Sequence, residues 1–190
     1  MSKLWVLFLV LCAVVALAGC GSEQSGSAEP EEAATEPVQP SIQRIDAVLS
    51  AKSGSELTGV AIFVKDAAGV SLQLNVENTP PGEHAVHIHE FGDCSADDAS
   101  SAGGHWNPST EDHGRWGMPP HHLGDIGNIT VGEDGTGSLS LSTDRWTMGD
   151  GSVTDIVGKS IIVHADPDDF TSQPTGAAGG RIGCAVIETY

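Results

Sequence analysis

The chain has 190 residues, with 26 Asp and Glu against 8 Lys and Arg and a formal net charge of −18. Such a surface repels phosphates, which excludes nucleic acid as a natural partner. The length suits one domain once non-globular ends are set aside.

Residues 1–19 read as a signal peptide, with Lys3 near the start, an apolar run over 4–17 and small residues after it. The run is shorter than the ~20 residues a membrane span needs. Leu17-Ala18-Gly19-Cys20 resembles the lipobox of bacterial lipoproteins. The resemblance implies that Cys20 becomes the mature N-terminus and carries acyl chains such as palmitate. The alternative is an ordinary secretory signal that happens to contain a cysteine. Residues 21–40 are rich in Ser, Glu, Pro and Ala, with no aromatic residue. They bury too little apolar surface to offset ordering and are expected to form a disordered acidic tether. The folded domain is expected over 41–190, with 21 acids and 7 bases, a net −14. The chain as a whole is expected to be exported and membrane-anchored, on a periplasmic or extracellular face.

Within the domain, alternating, β-branched segments predict strands over 42–50, 57–65, 70–77, 83–90, 137–141, 160–165 and 181–189. Turn-formers such as Asp66-Ala67-Ala68-Gly69 and Glu133-Asp134-Gly135 separate some of them. No capped helical period is present. The expectation is an all-β sandwich or barrel. Two long segments, 91–125 and 166–180, break the rhythm, and loops this long inside a domain are usually functional. Cys12 is lost with the signal and Cys20 is assigned to lipid. Cys94 and Cys184 remain, either as one disulfide or as two separate buried thiols, and an oxidising compartment favours the disulfide.

Seven of the eight histidines fall between His84 and His122, and the eighth is His164. His87 and His89 lie one pleat apart and face the same side of a strand. His105 and His113 lie in the following loop, and His122 and Asp125 at its end. Imidazole suits copper and zinc, and three histidines with a carboxylate suit zinc. Spacing alone supports metal binding, without fixing one ion or two.

His87-Ile88-His89-Glu90-Phe91-Gly92-Asp93 resembles the copper-ligand strand of the copper/zinc superoxide dismutases. Ser101-Ala102-Gly103-Gly104-His105-Trp106-Asn107-Pro108 resembles the segment of the bridging histidine. His122-Leu123-Gly124-Asp125-Ile126-Gly127-Asn128 resembles the zinc-binding segment. Val163-His164-Ala165-Asp166-Pro167-Asp168-Asp169 and Gly179-Gly180-Arg181-Ile182-Gly183-Cys184-Ala185-Val186 resemble later signatures of the family. The likeness runs from about Ile45 to the C-terminus. It implies a Greek-key β-sandwich, or flattened eight-stranded barrel, with two long functional loops.

The resemblance implies copper on His87, His89, His105 and His164, and zinc on His105, His113, His122 and Asp125. His105 then bridges the metals, Asp168 links a copper histidine to a zinc histidine from behind, and Arg181 guides the anion. It also implies a Cys94–Cys184 disulfide. The implied activity is dismutation of superoxide to dioxygen and hydrogen peroxide by a copper redox cycle with a zinc-supported bridging histidine. A homodimer is compatible with it. The alternative is a non-enzymatic copper- and zinc-binding lipoprotein of the same fold. His84 is expected to hydrogen-bond rather than ligate, His121 to face solvent, and Trp106 and Trp116 to pack. The segment after Asp169 is shorter than in the eukaryotic branch and lacks its Lys and Glu residues. Ala177 stands where Asn is common.

Overall fold

A computed structural model describes residues 43–189. The expected signal peptide, the Cys20 lipid site and the tether lie outside the described residues. Eight strands form the domain: β1 (Arg44–Ala51), β2 (Thr58–Asp66), β3 (Gly69–Glu77), β4 (Gly82–His89), β5 (Asp125–Val131), β6 (Gly137–Thr143), β7 (Ser160–His164) and β8 (Arg181–Val186). All pair antiparallel and close into a barrel in the order β1-β2-β3-β6-β5-β4-β7-β8. β3 pairs with β6, and the connections from β3 to β4 and from β6 to β7 each pass over the intervening strands, as in a Greek key. Among the described residues, no helix is long and apolar enough to cross a membrane.

β5 is a correction to the sequence reading, which treated Asp125 as a loop end and assigned no strand to 125–131. Gly127 interrupts its apolar alternation and Asp125, Ile126 and Gly127 are all buried, so only Asn128 to Val131 keeps a period of two, too short a run to signal a strand. β8 ends at Val186, earlier than the predicted 189.

The strands divide by their outer faces. β1 and β3 alternate as a half-buried sheet should, with Ile45, Ala47 and Leu49 inward on one, and Val70, Leu72, Leu74 and Val76 inward on the other. Fully burying each large aliphatic side chain contributes about 1.5–3 kcal/mol. β4 and β7 do not alternate: His84 to His89 and Ser160 to His164 are all buried. Val86, Ile88, Ile161 and Val163 join the barrel core, while Ile162 packs with Ala99, Ala102 and Cys184 in a second, smaller cluster. The long loop 90–124 therefore covers the outside of these strands. Its anchor is the Cys94–Cys184 disulfide, with Cα atoms 5.9 Å apart.

Candidate metal centre

Backbone pairing brings the histidines together. Past the end of β4, Glu90 N–H donates to Gly104 O (3.0 Å) and Trp106 N–H to Ile88 O (2.8 Å), so His105 lies across from His89. Along the same edge of β4, Ile88 N–H donates to Gly124 O (2.9 Å), which sets Asp125 opposite His87. The approach is so close that a Cβ on Gly124 would lie 2.2 Å from Ile88 O. Register shifts fall at Val86/His87 and at Val163/His164. Such irregularities re-aim side chains, and here each sits at a histidine of the cluster.

Two groups of four result. His87, His89, His105 and His164 present ligand atoms within 4.8 Å of one another, and so do His105, His113, His122 and Asp125. All seven residues are buried, and His105 belongs to both groups.

The outward nitrogens are held by protein acceptors. His87 Nε2 and His113 Nε2 each lie 2.9 Å from Asp168, one on each carboxylate oxygen. Asp168 thus ties a member of the first quartet to a member of the second. His89 Nδ1–H donates to Gly103 O (3.0 Å). Gly176, at φ +66°, lets the chain pass behind this array; a Cβ there would lie 1.9 Å from Asp168 Oδ1 and 2.6 Å from His113 Nε2. Gln173 braces the loop, its Oε1 accepting from His113 N–H and its Nε2 donating to His113 O, both at 2.9 Å.

The inward atoms lack partners. His87 Nδ1, His105 Nε2 and His113 Nδ1 are buried without a hydrogen bond. His113 Nδ1 and Asp125 Oδ2 are 3.0 Å apart yet misaligned for hydrogen bonding. Nitrogens of the same kind also face one another: His89 Nε2 and His164 Nε2 at 3.4 Å, His105 Nδ1 and His122 Nδ1 at 3.4 Å. A buried unsatisfied polar atom costs about 1–3 kcal/mol, and a shared cation removes that cost. The donor set fits two metal ions.

In the metal-free protein the protonation states divide: four histidines are lowered and His113 is raised. Burial, reinforced by neighbouring imidazoles, pushes His89 and His164 well below the usual histidine range. Burial lowers His87 against the pull of Asp168, and lowers His105 to about 4 against that of Asp125. These rings are neutral, as metal ligation requires. Burial also pushes His113 down, but the Asp125 carboxylate beside Nδ1 and the bond to Asp168 outweigh it and raise it to about 9. Burial pushes Asp125 and Asp168 up; bonds from His105 and His122 with the nearby His113 ring at the first, and bonds from His113 and His87 to the second, hold both below the ordinary carboxylate range.

The sequence model of one family, copper/zinc superoxide dismutase, matches residues 57–187. The chain belongs to the copper/zinc superoxide dismutase family. Its fold, an all-β closed barrel of eight antiparallel strands, agrees with that membership. Among solved structures it is similar to a SOD-like protein from Bacillus subtilis, at 30% identity over 75% of this chain and 97% of that one, with a TM-score of 0.67. A double mutant of that protein, with a tyrosine and a proline replaced by histidine, gives 30% identity over 76% and 97%, and 0.68. The clock protein EA4 gives 31% over 82% and 100%, and 0.72.

The other sequence-selected residues are placed as follows. Arg181 is half-buried and donates from Nη1 to Ala99 O and from Nη2 to Gly103 O, each at 2.6 Å. His84 bonds His164 O (2.9 Å) and Pro80 O (2.8 Å) and joins neither quartet. Trp106 lies in the core and Trp116 packs against it. His121 is a correction: it is fully buried, not exposed. The expectation that adjacent residues of an extended segment face opposite ways fails because this stretch is loop, closed over by Trp116 and Arg145. Gln173 was not singled out in the sequence; a polar amide in a Gly- and Pro-rich loop carries no signal of its own.

Proposed function

We propose that the chain dismutates superoxide, with copper held by His87, His89, His105 and His164 and zinc by His105, His113, His122 and Asp125. The observation that carries this is the pair of quartets meeting at His105, with buried nitrogens of both facing inward and unbonded. The assignment of ions follows the donors. The quartet with a carboxylate matches structural zinc, and the all-imidazole quartet suits copper. Bound there, copper supplies one-electron chemistry.

The residues do the rest. One superoxide gives up its electron and leaves as dioxygen; a second takes an electron and two protons and leaves as hydrogen peroxide. His105 Nε2, buried and without a protein partner, is the atom suited to hold one of those protons between half-reactions. Asp125 holds the other edge of that ring, its Oδ1 2.9 Å from Nδ1. Asp168 fixes His87 and His113 at once, and such partners orient ligands. Arg181 presents a positive charge to the anion from the loop edge.

The relatives' names favour a second reading, a metal-binding protein without turnover, since one is called SOD-like and another a clock protein. Superoxide removal by protein of measured copper and zinc content separates the two. Activity with copper and zinc each near one per chain supports the enzyme, and full loading without activity supports the binder. For location, we propose a lipoprotein anchored through Cys20. Mass spectrometry of the native N-terminus should find an acylated cysteine, and an unmodified start elsewhere would refute it.

A further inference from the structure

His121 belongs to neither quartet, yet it is fully buried beside the ligand His122. Its ring lies against Trp116, centroids 5.1 Å apart, and Trp116 meets Trp146 at 5.4 Å. Trp146 is itself fixed by donating Nε1–H to Leu123 O at 2.9 Å. Both nitrogens of His121 are engaged. Arg145 Nη1 lies 2.5 Å from Nε2, and Gly117 N–H reaches the same atom at 3.3 Å. A guanidinium and a backbone amide only donate. Nε2 is therefore the acceptor, and the ring proton sits on Nδ1. Nδ1 is 2.7 Å from the carbonyl oxygen of His122 and donates to it. That carbonyl also accepts from Asp125 N–H at 3.2 Å, while His122 N–H donates to Asp125 Oδ2 at 2.8 Å. His121 thus grips the residue through which two ligands of the carboxylate-bearing quartet are joined.

We propose that His121 is a positioning residue for that quartet: with its tautomer set by Arg145, it holds the His122 carbonyl and so fixes where His122 and Asp125 present their lone pairs to zinc. This rests on the reading of that quartet as the zinc site. The physical argument is pre-organisation. His113 and His122 lie on loop rather than strand, so the entropy of aligning them falls on zinc binding unless other bonds have already met it. The bond from Nδ1 falls on the His122 carbonyl itself, so the ring acts on the backbone between the two ligands.

The test measures zinc affinity of the full-length chain by competition with a chromophoric chelator. Beside it run the visible spectrum of Co(II) put in place of zinc and the melting temperature of the metal-free protein. His121→Leu keeps apolar bulk and loses both bonds; zinc binding should weaken about 10–100-fold, as for other residues that orient metal ligands, and the Co(II) bands should shift. His121→Gln carries one donor and one acceptor and should restore most of the affinity. Arg145→Met releases the tautomer and should weaken zinc by a smaller factor, with the metal-free melting temperature unchanged. Wild-type affinity in His121→Leu, equal losses in the Leu and Gln variants, or wild-type affinity in Arg145→Met overturns the proposal. If His121→Leu fails to fold, Arg145→Met decides alone. A wild-type chain that binds no zinc refutes the underlying site reading instead, so the two failures are distinct.

Discussion

The two quartets share His105 but are built from different material. Three members of the all-imidazole quartet stand on strands, His87 and His89 on β4 and His164 on β7, where the barrel ladder fixes their backbones. In the other quartet only Asp125 begins a strand; His113 and His122 lie in loop, as does the shared His105. The strand-borne site is thus a by-product of folding. The loop-borne site is held by added devices: the disulfide, Gln173 on His113, and Asp168 reaching across from the second loop. A rigid frame needs few braces, and a loop needs many.

The largest effect that can break this comparison comes from removing one unshared ligand on each side. His164→Ala should abolish superoxide removal and copper binding while zinc content stays near one per chain. Asp125→Ala should lose zinc first, because Asp125 is the hub for His105, His122 and the Gly114 N–H. Equal loss of both metals in both variants, by metal analysis, would contradict two separable sites.

Reducing Cys94–Cys184 should come next. It opens a 90-residue loop, worth at most about 4.6 kcal/mol in the chain-entropy account. Because the bond anchors the loop that carries His105 and His113, zinc affinity should fall more than copper affinity. Calorimetry and metal titration under reductant would show it, and a copper-selective loss would reverse the comparison. Arg181→Ala should lower the rate about tenfold if the guanidinium contributes ~1.4 kcal/mol to the transition state; unchanged activity would remove its guiding role.

In the metal-free protein the quartets should also oppose each other in pH. His105 is depressed to about 4, and His87, His89 and His164 are lowered too. Below the unfolded value near 6.5 the unfolded chain binds more protons, so stability falls with acidification. His113 is raised to about 9. Its contribution is complete below about 6.5 and is lost as pH rises through 9. The chelated protein should therefore melt highest near neutrality, and a melting temperature flat from pH 6.5 to 9 would count against the His113 ion pairs. The smallest effect should be that of salt on rate. The domain carries −14, so screening over a Debye length of about 10 Å at ~0.1 M should change the rate little or raise it. A steep fall would reveal a positive approach path.

What could be read in advance follows the same division. His87-Ile88-His89 on a strand was legible because a period of two fixes which side chains share a face. The barrel class was legible from alternation in β1 and β3. Resemblance supplied the grouping of distant ligands, since no local pattern relates His105 to His164. β5 escaped because its first half is buried on both faces and broken by Gly127, leaving too short an alternating run. His121 escaped because its burial comes from Arg145 and Trp116, contacts that no spacing predicts. Gln173 escaped for a similar reason, since its value lies in bonding a backbone 60 residues away.

One oxygen carries a consequence for anyone redesigning this surface. Gly103 O accepts from His89 Nδ1 and from Arg181 Nη2. Gly103 itself is confined: at φ +75°, a Cβ would lie 2.5 Å from Glu90 Oε1 and 2.6 Å from the Phe91 ring. A ligand ring and a guanidinium therefore hang from a single peptide. Displacing that peptide turns both together, so the His89 ring and the Arg181 guanidinium form one mechanical variable. Retuning one alone would have to begin elsewhere, with the acidic groups farther out on the surface.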